Sequence, residues 1–326
     1  MRSGPANDFV YTLNGKKISD EATLMRIKKL VIPPAWTNVW ICKDADGHLQ
    51  ATGLDVKNRK QYRYHPLWNT LRSLTKFSHL LDFGQALPAM KERIQHDISL
   101  PGLPLNKVLA TIVSLMQCTC IRVGSSEYEK LYGSFGLTTL KDKHVKIERG
   151  GLRFSFKGKK GVYHNIALHS RRLARIVKQC KDIPGQELFQ YYDEQGERKP
   201  IDSGMVNNYI KEISGAHFTS KDFRTWAGST YAFEAFHELG CCDTITETKQ
   251  RVVSALDAVA KRLGNTRTVC RKYYVHPMIV DYYSDKTIEK YFAIFERKKN
   301  TGSDLNAAEQ VLIQMLRDMK SAVIAA

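Results

Sequence analysis

Apolar and polar residues alternate in short runs through the first 66 residues, and beyond about residue 85 the apolar positions recur at helical spacing. Val10-Tyr11-Thr12-Leu13 runs into the turn pair Asn14-Gly15 and predicts a strand. Val39 to Cys42, the acidic turn Asp44-Ala45-Asp46-Gly47 and His48 to Thr52 predict a hairpin. A short helix is expected over Asp20 to Leu30, and Ile32-Pro33-Pro34-Ala35-Trp36 is a rigid extended connector. From Trp68 to about Leu81 a helical period places Leu71, Leu74 and Phe77 among charges; Phe83-Gly84 breaks it and marks the domain boundary. Helices are then predicted at about 86–98, 105–120, 125–133, 167–180, 203–214, 221–238, 247–262 and 304–324. The last has Leu305, Val311, Leu312, Met315, Leu316 and Met319 on its apolar side and Ser303 as its N-cap. One stretch breaks the helical run. Lys146-Ile147-Glu148, Leu152 to Phe156 and Val162 to Asn165 alternate around glycine turns, as a small inserted antiparallel sheet would. The expected class is α+β: a β-rich domain over 1–84 and a mainly helical domain over 85–326. No internal repeat or low-complexity tract interrupts this pattern.

A chain of 326 residues can hold two or three domains with real cores, and 43% hydrophobic content belongs to a folded protein. Charge adds more. Fifty Lys and Arg against 33 Asp and Glu leave a net charge of +17, which points to a polyanionic partner. Nucleic acid is the first candidate and an anionic membrane surface the second. No apolar run is long enough to span a bilayer. Met1-Arg2-Ser3-Gly4-Pro5 lacks the apolar centre of a signal peptide, so an intracellular, non-secreted protein is expected. The seven cysteines have no repeating spacing; Cys118 and Cys120, like Cys241 and Cys242, miss the CxxC pattern. Reduced thiols are the expectation, with neither a zinc site nor a disulfide framework.

The charge is concentrated in places that suit chemistry on a phosphate. Lys57, Arg59, Lys60 and Arg63 crowd one predicted strand, with Gln61 between them and Tyr62 and Tyr64 on a common face. These residues can contact a DNA backbone and its bases, although a polar outer strand of a small sheet would also read this way. Arg122 follows the apolar run Leu109 to Ile121 and must reach an anion or water. Lys159 lies between Gly158 and Gly161 at the tip of the inserted hairpin, where glycine allows close backbone approach. Lys221 and Arg224 fall in the first turns of a helix. The stretch from Leu263 to Pro277 opens on Gly264-Asn265, closes on His276-Pro277, and holds three cations and the adjacent Tyr273 and Tyr274. Alone, such a tyrosine reads first as a surface aromatic beside a solvated charge run. A phenol becomes a useful nucleophile when cations gathered from elsewhere stabilise its anion.

In this order, Arg122, Lys159 on a hairpin, Lys221-x-x-Arg224, Asn265 and Tyr274 resemble the type IB DNA topoisomerases, in particular the short poxvirus-like and bacterial enzymes. Supporting strings are Ile32 to Trp36, Gln50-Ala51-Thr52-Gly53, Arg59 to His65, Leu140 to Val145, Phe223-Arg224-Thr225-Trp226 and Tyr274-Val275-His276-Pro277, so the likeness covers nearly the whole chain. The resemblance implies a bilobed clamp closing on double-stranded DNA, monomeric on its substrate. It implies Tyr274 as nucleophile, Arg122 and Arg224 on the scissile phosphate, Lys159 as general acid and Lys221 as a further phosphate contact. Asn265 occupies the fifth position, where poxvirus members have histidine; an amide can donate a hydrogen bond there but carries no charge. No metal, ATP site or other cofactor is implied, and no GxxxxGK[ST] occurs. A bacterial cytoplasm or a large virus suits a chain of this size. The alternatives are a tyrosine recombinase, which usually shows His-x-x-Arg where this chain has Lys221-x-x-Arg224, and a non-catalytic basic DNA-binding protein.

Overall fold

The computed structural model describes residues 1–4, 8–56, 58–68, 77–299 and 304–325. The chain divides into two compact units, Met1–His79 and Leu80–Ala326.

The first unit is β-rich. Strands β1 (Arg2–Ser3), β2 (Val10–Leu13) and β3 (Lys16–Lys17) form one antiparallel sheet, and β4 (Thr37–Ile41), β5 (Leu49–Leu54) and β6 (Lys60–Tyr64) form another. Helix α1 (Glu21–Lys29) starts where the Asp20 carboxylate accepts the Thr23 N–H at 2.8 Å. Ile27, Val39 and Ala51 supply the buried apolar centre. Gln50, 2% exposed, closes the predicted hairpin: its amide nitrogen reaches the carbonyls of Asp44, Ala45 and Gly47, and its oxygen accepts from Arg26. A buried amide with partners on both atoms fixes that loop without apolar packing.

The second unit is built around α3 (Leu105–Thr119), which is buried along nearly its whole length. Helix α2 (Leu80–Ser99) packs on it, and here the sequence reading needs correction. Phe83 and Gly84 are inside α2, so the unit boundary falls before Leu80 and not at residue 84. Phe83 packs edge-on against Phe218 and Phe223, with centroids at 5.2 and 5.0 Å. Any side chain at position 84 would strike the Trp226 ring, so this glycine permits close helix approach and does not end the helix. The predicted period from Trp68 to Leu81 lies largely outside the described residues.

After the short helix α4 (Ser126–Tyr132), strands β7 (Val145–Glu148), β8 (Gly151–Lys157) and β9 (Tyr163–His169) form the inserted antiparallel sheet. The helix expected from 167 starts later, as α5 (Arg171–Asp182), because residues up to His169 pair with β8 and Ser170 caps the first turn. Strands β10 (Gln190–Tyr192) and β11 (Arg198–Pro200) add a small hairpin absent from the sequence reading. Helices α6 (Ser203–Ser214), α7 (Ser220–Leu239) and α8 (Ile245–Leu263) follow close to their predicted limits. Three short helices were not predicted: α9 (Arg267–Tyr273), α10 (Pro277–Ser284) and α11 (Glu289–Lys298). The final helix, α12 (Ala307–Ala325), begins later than expected. Asn306 caps it, accepting the Glu309 N–H at 2.9 Å while the Glu309 carboxylate accepts the Asn306 N–H at 3.0 Å. The predicted cap, Ser303, lies outside the described residues. Among the described residues no helix is long and apolar enough to cross a membrane.

Candidate active site

The candidate site forms where two helix ends meet one helix start. Helix α3 stops at Cys120, which adopts φ 55° and turns the chain so that Ile121 and Arg122 leave sideways. Helix α8 stops at Gly264, φ 59°, and delivers Asn265. Both ends leave carbonyls without helical partners, and arginines take them up. Arg224, from the first turns of α7 and only 4% exposed, donates to the carbonyls of Cys120 and Leu263, the latter at 2.8 Å. Arg122 donates to the Gly264 carbonyl at 3.4 Å and to Asn265 Oδ1. A guanidinium only donates, so the Asn265 oxygen must face Arg122 and its Nδ2 remains the donor. Nδ2 and Arg224 Nε are buried without a protein partner. Donors in that condition suit a bound anion.

Tyr274 is held by its backbone. Its N–H donates to the Cys270 carbonyl at 2.9 Å as the C-cap of α9. Its carbonyl accepts from Ser229 Oγ at 3.3 Å, and Ser229 Oγ in turn accepts the His276 N–H at 3.1 Å. Gly228 leaves the space for this: a Cβ there would lie 2.6 Å from the Tyr274 carbonyl oxygen and 2.9 Å from its Cβ. The Arg224 guanidinium carbon is 5.1 Å from the centre of the Tyr274 ring. Tyr273 faces away, 42% exposed, under the Lys272 ammonium. The structure thus separates the two tyrosines, which sequence alone could rank only by spacing.

Lys159 lies on the single turn joining β8 to β9, its ammonium 5.3 Å from the Tyr128 ring centre. It faces a cavity of about 260 Å³ that is also lined by Arg122, Lys221, Arg224, Tyr274 and Tyr128. Of the predicted catalytic group only Asn265 stays off the cavity wall, behind Arg122. Among the described residues no carboxylate lines the cavity. Crowded cations in a partly dry space raise one another's cost. Burial, and then Arg224, push the Arg122 pKa down to about 10. Burial, and then Arg122, lower that of Lys159 below its ordinary value. A negative charge placed in the cavity would relieve both. Among the described residues no three His, Cys, Asp or Glu side chains gather as metal ligands. Sequence reasoning missed Tyr128, Gly228, Ser229 and His164; they are ordinary residues of a helix or strand until the fold turns them toward the site.

Known proteins resemble this chain along most of its length. A family model described as the catalytic core of eukaryotic DNA topoisomerase I matches residues 66–301, and one for the N-terminal domain of bacterial DNA topoisomerase IB matches residues 8–55. DNA topoisomerase 1B of Acanthamoeba polyphaga mimivirus is 31% identical over 299 residues, which is 87% of this chain and 86% of the relative. This chain belongs to the type IB DNA topoisomerases. DNA topoisomerase 1B of vaccinia virus (strain Copenhagen) is 24% identical over 236 residues, 72% of each chain. Among solved structures, the XerH site-specific recombinase bound to palindromic difH substrate, a post-cleavage complex, matches with a TM-score of 0.39 and 14% identity. That match covers 65% of this chain and 52% of the recombinase.

The N-terminal unit of this topoisomerase divides the predicted DNA-binding strand between two faces. Lys60, Tyr62 and Tyr64 share one, with the two tyrosine rings stacked at 6.0 Å and the Lys60 ammonium 5.9 Å from the Tyr62 ring centre. Gln61 and Arg63 point the other way, where Gln61 donates to Asp55 at 2.9 Å and Arg63 to the Val31 carbonyl at 2.5 Å. Arg59 is paired with Asp55 at 2.6 Å. Lys57 lies outside the described residues.

Proposed function

We propose that this isomerase relaxes supercoiled DNA through a transient 3′-phosphotyrosyl nick made by Tyr274. The observation that carries this reading is the cavity itself: Tyr274 faces one space together with four cations, Arg122, Lys159, Lys221 and Arg224, and with Tyr128, and among the described residues no carboxylate lines it. The Tyr274 phenol loses its proton to water, and its oxygen bonds to phosphorus as the bond to the 5′ oxygen breaks. Arg122 and Arg224 hold the non-bridging oxygens, where charge builds in the transition state, and both are set in advance by the helix-end carbonyls they bind. Asn265 Nδ2 adds a neutral donor to the same oxygens. Lys159 protonates the leaving 5′ oxygen. Lys221 contacts a neighbouring phosphate. The phosphotyrosyl ester retains the bond energy, so the 5′ hydroxyl reseals the strand after it has rotated, with Lys159 taking the proton back.

The unit Met1–His79 serves as a clamp lobe, with the face of Lys60, Tyr62 and Tyr64 against the duplex. The protein works as a monomer on DNA, in a bacterial cytoplasm or in a virus. Supercoiled plasmid incubated with the protein in EDTA, without ATP, should yield a ladder of relaxed topoisomers. Tyr274→Phe should leave the plasmid supercoiled while still retarding it on a gel. Full relaxation by Tyr274→Phe would remove the tyrosine from the mechanism, and a gel shift without relaxation by the native protein would reduce it to a DNA-binding protein.

A further inference from the structure

The reaction as described makes no use of His164, yet its imidazole touches both halves of the site. His164 is in β9, opposite Phe156 of β8, and the two rings stack at 5.0 Å and 22°. It does not line the cavity. It lies behind it, between two glycines. A Cβ on Gly158, the residue before Lys159, would stand 2.6 Å from His164 Cδ2 and Nε2. A Cβ on Gly264 would stand 2.5 Å from His164 Cε1. Side chains do not tolerate such distances, so the ring occupies the space that both glycines leave open. Gly158 anchors the Lys159 turn: its N–H donates to the Val162 carbonyl at 2.7 Å, and its carbonyl accepts the Gly161 N–H at 3.1 Å. On the other side, the carbonyls of Gly264 and Leu263 hold Arg122 and Arg224.

We propose that His164 is a positioning residue, a wedge that sets the spacing between the Lys159 turn and the shelf of Arg122, Asn265 and Arg224. It thereby sets the distance from the Lys159 ammonium to the leaving oxygen. The sheet ladder ends at the pair Lys157 and Tyr163. Beyond that pair the turn bends through Lys160 and Gly161 at φ 63° and 79°, and its tilt over the cavity depends on what it rests against. The wedge acts by shape. Burial, and then Arg122 and Arg224, lower the His164 pKa from its ordinary value, so at neutral pH the ring adds no charge to the cluster. The inference rests on the reading of Lys159 as general acid.

The test compares single-turnover cleavage of two duplexes that differ only at the scissile 5′ position, one with the ordinary bridging oxygen and one with sulfur. A thiolate leaves without protonation, since a thiol has a pKa of roughly 8.5. His164→Ala in the full chain should slow cleavage of ordinary DNA about tenfold or more, as displacement of a positioned group does, yet cleave the sulfur strand within about twofold of the native rate. His164→Phe keeps a flat ring and should recover most of the rate on ordinary DNA. Equal slowing of both substrates by His164→Ala, or no slowing of either, overturns the proposal. So does a His164→Phe protein as slow as the alanine variant. Should His164→Ala fail to fold, Gly158→Ala carries the test: φ at Gly158 is −92°, which alanine accepts, and the added methyl pushes the turn from the other side. It too should show a loss that sulfur rescues, and a loss that sulfur leaves in place overturns the wedge. Lys159→Ala run in parallel separates the two claims. If sulfur does not rescue that variant, the acid assignment fails and the wedge fails with it; if sulfur rescues Lys159→Ala alone, only the wedge fails.

Discussion

At the scale of single residues, the site depends on what each polar atom is already doing before DNA arrives. Asn265 illustrates this. Its oxygen is committed to Arg122, which leaves Nδ2, buried and without a protein partner, as the atom of the side chain able to donate. Asn265→Ala should therefore lower the single-turnover cleavage rate about 10²-fold, the usual loss for one transition-state donor. Asn265→Asp should lose more, because it brings a carboxylate beside Arg122 and the phosphate. Equal activity of native and Asn265→Asp proteins would show that the position faces no anion. Lys159 gives a pH prediction. A general acid must be protonated, and burial beside Arg122 places its pKa below the ordinary 10.5. The second-order cleavage rate, which reports the free enzyme, should fall on the alkaline side at a pH below 10.5, earlier than an unperturbed lysine would allow. The sulfur-bridged duplex should lack that fall. An alkaline limb shared by both substrates would belong to another group.

At the scale of elements, helix α7 does two jobs within two turns. Arg224 faces the cavity, and Gly228 with Ser229 seats the Tyr274 backbone. Arg224 and Tyr274 are thus spaced by one rigid helix. Gly228→Ala discriminates seat from bystander. Alanine is the better helix former by about 1 kcal/mol, so an idle glycine would become more stable at no cost in activity. If the glycine is the seat, the new methyl pushes on Tyr274, and cleavage should slow about 10-fold or more while duplex affinity is unchanged. The longer elements were legible from periodicity because α3, α7 and α8 span 15, 20 and 19 residues, long enough for their buried apolar positions to repeat. The short ones were not. Helices α9 and α10 span 7 and 8 residues and are fixed by Thr266 and His276 caps and by packing, so their apolar period is too brief to read. Phe83-Gly84 misled for the opposite reason: a glycine chosen for contact with Trp226 looks in sequence like a helix breaker. In the same way the sequence could name Arg122, Lys159, Arg224 and Tyr274 but could not find His164 or Ser229, which reach the site only through the fold.

At the scale of the whole molecule, the net charge of +17 implies counterion release on DNA binding. Affinity for a duplex should fall linearly with salt on a log–log plot. Lys60→Ala should reduce the slope by about 0.9, the contribution of one neutralised phosphate. Arg63→Ala should change it less, because that guanidinium lies on the other face of β6, where Nη2 donates to the Val31 carbonyl of its own unit. A slope that Arg63→Ala flattens and Lys60→Ala does not would turn the other face of β6 toward the DNA.

The most direct test of the account is to trap the covalent complex on a duplex whose cleaved end diffuses away, digest the protein, and map the modified peptide by mass spectrometry. The account predicts a 3′-phosphoryl nucleotide on Tyr274 and an unmodified Tyr273. A nucleotide on Tyr273, on Tyr128 or on any other residue would contradict it.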